Sequence, residues 1–155
     1  MIQGTPPFIA NAVLLSTQLH AGKHDLESIF YSLLYALTTF KGPGQLRNNY
    51  SELSSVPIFN WFNHQILNHS FKEMGRLRMG HLADFQGSII KKISKYFSPL
   101  LPFLQELFVA FFPDRDYLQN NMTHAKMIQL FNKQYEQLRE SEEKAKTSVK
   151  RRRFG

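Results

Sequence analysis

The sequence contains no cysteine. That excludes disulfides, thiolate-bound zinc and cysteine nucleophiles together, and it agrees with a reducing intracellular compartment. No signal peptide is read at its start, so the three Asn-x-Ser/Thr triplets, at Asn49, Asn68 and Asn121, are expected to stay unmodified. Long apolar runs are also missing. The two longest, Ile29 to Phe40 and Leu100 to Phe112, fall short of the ~20 residues that span a bilayer, and Gln105 and Glu106 interrupt the second. A chain outside the membrane, or at most peripheral to it, is expected. Strand-like alternation of apolar and polar residues is nearly absent, and no repeat with a period of about 20–50 residues stands out.

What is present suits one all-α domain. A chain of 155 residues with 43% hydrophobic and 14% aromatic side chains can bury a sizeable core. The net charge is +7, but it is uneven. Residues 139–155 hold seven basic side chains against three acids, an excess of four. The remaining body carries no strong electrostatic signal for nucleic acid.

The pattern reads as helices joined by loops. A short helical patch is expected around Ala10 to Gln18. Asp25 is read as the N-cap of a helix that runs to about Thr39, with Glu27 in its first turn, and Lys41, Gly42, Pro43 and Gly44 stop it. A loop over 42–57 precedes a helix around Ile58 to Asn68. Ser70 and Glu73 have capping-box spacing and open another helix, which Gly80 is expected to end. Later helices are expected over 82–97, 99–112 and 123–147, the last two opened by Pro99 and by Thr123 as a cap. Apolar spacing in the last helix ceases after Leu138. The boundaries are therefore drawn as a helical body, 1–138, and a charged, solvated and disordered basic tail, 139–155.

The stretch HDLESIFYSLLYAL, residues 24–37, stands out. Leu26, Ile29, Phe30, Leu33, Leu34 and Leu37 complete one apolar face, and Tyr31, Tyr35 and Ala36 fill much of the other. A helix apolar on every side belongs inside a protein, and an acid at its mouth, Asp25, then needs donors to leave water. This helix, preceded by GTPPFIANAVL at 4–14, resembles the fungal-type protein kinase family. There a Gly-Thr-x-x-Phe-Met-Ala segment precedes a His-Asp-Leu-Glu-Ser-x-x-Tyr helix, and the casein-kinase-1 group has a similar Asp-Leu-Glu-Ser helix.

The resemblance implies a C-terminal-lobe portion of a kinase-like fold. It places Gly4 and Thr5 at the end of the activation segment, Pro6, Pro7 and Phe8 in the loop that faces the substrate, and Asp25 as the structural anchor that opens the central helix. Trp61 and SFKEMGRLRMGHL, 70–82, would belong to the helices that complete the lobe. A full family member uses ATP and magnesium on serine or threonine hydroxyls. In these 155 residues there is no Gly-x-Gly-x-x-Gly, no His-Arg-Asp and no Asp-Phe-Gly, so no catalytic residue, cofactor-binding residue or metal ligand is assigned. Many kinase groups also carry an acid at the end of the segment that pairs with a later arginine. Ala10, Asn11 and Ala12 stand there instead, which points to a relaxed or degenerate copy.

Other constellations have plainer readings. Asp114 and Asp116 fit an Asx-type turn better than acid–base chemistry. His20 and His24 have metal-ligand spacing, but Gly22 between them speaks against a shared helix face, and His64 and His69 straddle a helix end. Met74, Met79, Met122 and Met127 are read as core fillers. Asp84-Phe85-Gln86 lacks the glycine of a metal-binding motif and is read as chance. Lys150, Arg151, Arg152 and Arg153 resemble a nuclear localisation signal or a phosphate-binding tail, and a solubilising tail explains them as well. The expected function is an inactive kinase-domain portion, nuclear or cytoplasmic, with no cofactor of its own and a protein partner over its exposed helical core. A helical interaction module is the alternative, and a nucleic-acid binder working through the tail is a weaker one.

Overall fold

A computed structural model describes residues 8–47, 54, 56–62 and 70–153, together with the side chains of all of these except Phe62 and 148–153. Gly4, Thr5, Pro6 and Pro7, the histidines at 64 and 69, and the triplets at Asn49 and Asn68 lie outside the described residues. The protein is mostly helical, with one two-stranded sheet among the described residues. The chain divides into two compact units, Met1–Met122 and Thr123–Gly155.

In the first unit α1 is Asn11–Leu14 and α2 is Gly22–Thr39. The cap of α2 is Ala21, not Asp25. His24 reaches back so that its Nδ1 accepts the Ala21 N–H at 3.0 Å, which satisfies a donor that the helix start leaves open. That contact starts the helix four residues early and leaves Glu27 beyond its first turn. The helix ends at Thr39, where the chain enters a hairpin of β1, Phe40–Gly42, and β2, Gln45–Leu46, around Pro43 and Gly44. Gly44 has φ +67°, a left-handed conformation that glycine adopts without a Cβ clash. The stop signal at 41–44 is therefore a turn between short strands.

Next come α3, Pro57–Phe62, and α4, Phe71–Ala83. The capping box holds as read: Ser70 Oγ accepts the Glu73 N–H at 3.2 Å, and Glu73 Oε2 accepts the Ser70 N–H at 2.6 Å. Gly80 does not end α4. Nothing crowds it, and the helix continues to Ala83, with the Asp84 N–H on the Gly80 carbonyl at 3.2 Å.

The long helix expected over 82–97 is absent. A π turn, Phe85–Ile89, and 3-10 turns, Ile90–Lys92 and Lys95–Leu100, take its place. Local capping explains the break. The Asp84 carboxylate accepts the Gly87 N–H at 3.1 Å and the Ser88 hydroxyl at 3.2 Å, and a Cβ on Gly87 would come within 2.4 Å of that carboxylate. Ser94 then accepts the Tyr96 N–H at 3.4 Å and opens the last 3-10 turn, which contains Pro99. The next helix, α5, is Leu101–Phe111 and has Pro102 in its first turn.

The core sits against α2. Phe30, Tyr31 and Leu34 are fully buried, and the Phe30 ring lies 5.0 Å from Phe111, 6.3 Å from Phe85 and 6.5 Å from Phe112. Phe85 stacks on Phe108 at 4.0 Å. The helix is not enclosed all round, however: Asp25, Ile29 and Ser32, at helical spacing, form an exposed stripe. Of the four methionines read as core fillers, Met74, Met122 and Met127 are buried and Met79 is half-buried.

The second unit is one helix, α6, His124–Arg153. Thr123 caps it, its Oγ1 accepting the Lys126 N–H at 3.2 Å. Helix continues through the stretch expected to be a disordered tail. There the apolar stripe gives way to Glu136–Arg139, Glu140–Lys144 and Glu142–Lys146 pairs at helical spacing. Such pairs support a solvated helix without a core. Lys150, Arg151, Arg152 and Arg153 fall on its last described turn.

The burial pattern makes a comparison available. Replacing Phe30 by Ala is expected to lower the unfolding free energy by about 3–5 kcal/mol, whereas Ile29→Ala, at a position 48% exposed, is expected to cost less than about 1 kcal/mol. Urea denaturation of the two variants checks this, and equal losses would place the core elsewhere.

Candidate functional site

Glu27 and Tyr31 are one turn apart on α2, so both point to the same side. That side is closed, and Glu27 is only 2% exposed. One carboxylate oxygen accepts the Asn11 N–H at 3.1 Å and the Tyr31 hydroxyl at 2.5 Å. The other accepts Asn120 Nδ2 at 3.4 Å, and the same amide nitrogen donates to the Lys23 carbonyl at 2.6 Å. Arg78, on α4 and also fully buried, donates from Nη1 to the Ile9 carbonyl. Its guanidinium lies 4.3 Å from the centre of the Tyr31 ring and 5.0 Å from that of Trp61, within cation–π range of both. Trp61 in turn donates from Nε1 to His81 Nδ1 at 2.9 Å.

The result is a clamp. Residues 9–11 are held through main-chain atoms, the Ile9 carbonyl by Arg78 and the Asn11 N–H by Glu27. The carboxylate that holds Asn11 thus comes from α2, sixteen positions further along the chain. Phe8 extends the contact, its ring edge-on to Tyr35 at 6.3 Å.

Electrostatics follow from burial. Desolvation pushes the Glu27 carboxyl above its ordinary value, against the hydrogen bonds from Tyr31 and Asn11 and the charge of Arg78. Burial raises the Tyr31 hydroxyl well up, helped by the Glu27 charge, and lowers Arg78 against the pull of Tyr31 and Glu27. His24 and His81 are both lowered, first by burial. Both Glu27 oxygens are engaged by protein donors, which suits the cluster to holding backbone in place rather than to turnover.

Asp25 sits outside this cluster. Its side chain is 65% exposed and pairs with His20 Nε2 at 3.1 Å, so the acid that left water is Glu27, two residues on. Asp25 lies in the first turn of α2, on the exposed stripe that it shares with Ile29 and Ser32. His20 and His24 share no ligand site: His20 faces Asp25, and His24 Nδ1 is used in the cap. Among the described residues no three His, Asp or Glu side chains gather as metal ligands, and no helix is long and apolar enough to cross a membrane. Asp116 forms the expected Asx turn, accepting the Leu118 N–H at 3.0 Å, and Asp84 serves as a cap. The residues that sequence reasoning missed are Arg78, Tyr31, Asn11 and Asn120. The Glu27-x-x-x-Tyr31 spacing was the one local signal for them.

Two outcomes test the cluster. Arg78→Ala removes the donor to the buried Ile9 carbonyl and the positive charge near Glu27, and is expected to be strongly destabilising, by about 3–5 kcal/mol. The double variant Glu27→Gln/Arg78→Met should lose less than the sum of its single changes, and full additivity in a denaturation cycle would show that the two do not couple.

His81 provides a pH test. Its lowered pKa means that its contribution to stability is complete above the ordinary value near 6.5 and is lost as pH falls through the lower folded value. Protonation also turns Nδ1 into a donor facing the Trp61 N–H. Fluorescence of Trp61, the single tryptophan, should therefore change on acidification below about pH 6.5, and His81→Asn should flatten that change. An unaltered profile in the variant would assign the titration to another group.

Compared with family models, with curated proteins and with solved structures, the chain matches none.

Proposed function

We propose that these residues are the C-terminal-lobe portion of a fungal-type serine/threonine protein kinase domain that carries out no phosphotransfer by itself. The clamp is the observation that carries this reading. In kinases an acid of the activation segment and a later arginine fasten the end of that segment to the helices of the large lobe. Here Arg78 and Glu27 fasten Ile9 and Asn11, directly after the Gly-Thr-x-x-Phe stretch. The same fastening uses redistributed atoms, which suits a diverged copy.

Two further features support it. Asp25 stands exposed at the mouth of α2, where a kinase would present it to the catalytic loop. The exposed stripe beside it, with Ile29, is the part of a central helix that such a loop would cover. ATP and magnesium belong to the complete domain, and this chain takes neither alone. The same stripe favours a second reading, in which the helical portion works by covering that surface with a protein partner inside the cell, in nucleus or cytoplasm.

The purified chain is expected to show no rise in melting temperature with ATP and magnesium and no phosphate transfer to serine or threonine peptides. A clear rise with transfer would overturn the statement that it is catalytically empty. The family assignment is checked separately by the genomic reading frame upstream of the Met1 codon. In-frame glycine-rich, His-Arg-Asp and Asp-Phe-Gly segments are expected there, and unrelated sequence would favour the interaction module.

A further inference from the structure

A groove of about 340 Å³ lies among the end of α4, the π turn, α5 and the loop around Arg115 and Tyr117. We infer that this groove binds a small organic acid, a flat or branched apolar body that carries one carboxylate.

Aromatic rings form the apolar part of the lining. Phe85 and Phe108 are parallel to within 5°, with ring centres 4.0 Å apart, and Tyr117 lies 6.2 Å from Phe108. Phe85 and Tyr117 are buried and Phe108 is half-buried, so the stack meets the groove along its edge. Val109 of α5, 61% exposed, adds an aliphatic wall. Covering this surface with an apolar body removes it from water. The walls are joined by the protein itself, because Gln105 Nε2 of α5 donates to Gln86 Oε1 of the π turn at 3.1 Å. That bond uses the Gln86 oxygen and leaves its amide N–H groups for a ligand. The volume falls in the range of small-molecule sites, about 300–1,000 Å³.

The charge in the lining selects the kind of ligand. Arg115 has φ +56°, a left-handed backbone uncommon outside glycine, and its N–H donates to the Phe112 carbonyl at 3.1 Å. Asp114 and Asp116 flank it in sequence, but neither pairs with it, and the Asp116 carboxylate is taken up by the Leu118 N–H at 3.0 Å. The Arg115 guanidinium therefore keeps its donors. A single planar fork matches the two oxygens of a carboxylate, whereas a multiply charged phosphate group calls for several cations. An amine would have to use Asp84, the one acid in the lining, whose oxygens already accept the Gly87 N–H and the Ser88 hydroxyl. The inference is independent of the kinase reading.

Isothermal titration of the full chain with sodium cinnamate, beside cinnamyl alcohol and cinnamylamine, is the test. A saturable single-site heat is expected with cinnamate, with binding at least about tenfold weaker for the alcohol and weaker still for the amine. Arg115 and Val109 are both exposed, so Arg115→Gln and Val109→Asp should keep the melting temperature while each weakens cinnamate binding at least about tenfold. Should Val109→Asp fail to fold, Val109→Gln is expected to show a smaller loss in the same direction. Arg115→Lys, which retains charge without the fork, should fall between the parent chain and Arg115→Gln. Absence of heat with cinnamate, or binding that survives both the Arg115 and the Val109 variants, would overturn the site. Loss in Arg115→Gln alone would assign the anion to the arginine without the groove and overturn it too. Loss at Val109 alone, or equal binding of acid and amine, would overturn the ligand class.

Discussion

The first unit is organised around a carboxylate that has left water. An isolated buried carboxylate is very costly, and even a relaxed protein interior charges several kcal/mol for it. Glu27 is tolerable because Asn11, Tyr31 and Asn120 all donate to it and Arg78 lies nearby. Each of those donors comes from a different part of the chain except Tyr31. Satisfying one acid therefore brings the 9–11 segment, α2 and the 117–122 segment to one place. Arg78 adds α4 to that set through Ile9, and its stacking on Tyr31 and Trp61 adds α3. Apolar burial supplies most of the driving force for such a core. The polar cluster decides which arrangement of helices is acceptable, because slipping any of them leaves a charged group unpaired in a dry interior.

What was legible in the sequence was local. Ser70 and Glu73 are three residues apart, and their reciprocal hydrogen bonds need nothing beyond the first turn of a helix. The end of α2 at Thr39, the Asx turn at Asp116 and the cap at Thr123 are of the same kind. Predominantly helical character was legible too, because strand alternation was missing. The clamp was not: Glu27 and Arg78 are 51 positions apart, and nothing in either neighbourhood marks it as buried. Reading α2 as starting at Asp25 was reasonable on cap preference. His24 overrode it by capping from inside the first turn, in which Asp25 is exposed, and the acid that the core takes up is Glu27.

Failure between α4 and α5 has a similar cause. Apolar spacing over 82–97 fits a helix, and the residues are mostly adequate helix formers. Side-chain competition for backbone donors settles the matter, since Asp84 and Ser94 each take N–H groups that a continuous α-helix would have used internally. These irregular turns have a consequence for charge. They fold Lys91, Lys92 and Lys95 back towards the hairpin, whereas a straight helix would have spread them around its circumference.

Net charge alone hides that consequence. Counting along the sequence, most of the excess lies beyond residue 138, and the body looks nearly balanced. Arg139, Lys144 and Lys146 of α6 each pair with a glutamate at one-turn spacing, so their field is short-ranged. Among the described acids of the body, Glu27 is buried in the clamp and Asp84 is engaged as a cap. Net charge counted along the sequence therefore says little about which carboxylates remain at the surface, because structural demands take some of them away from it.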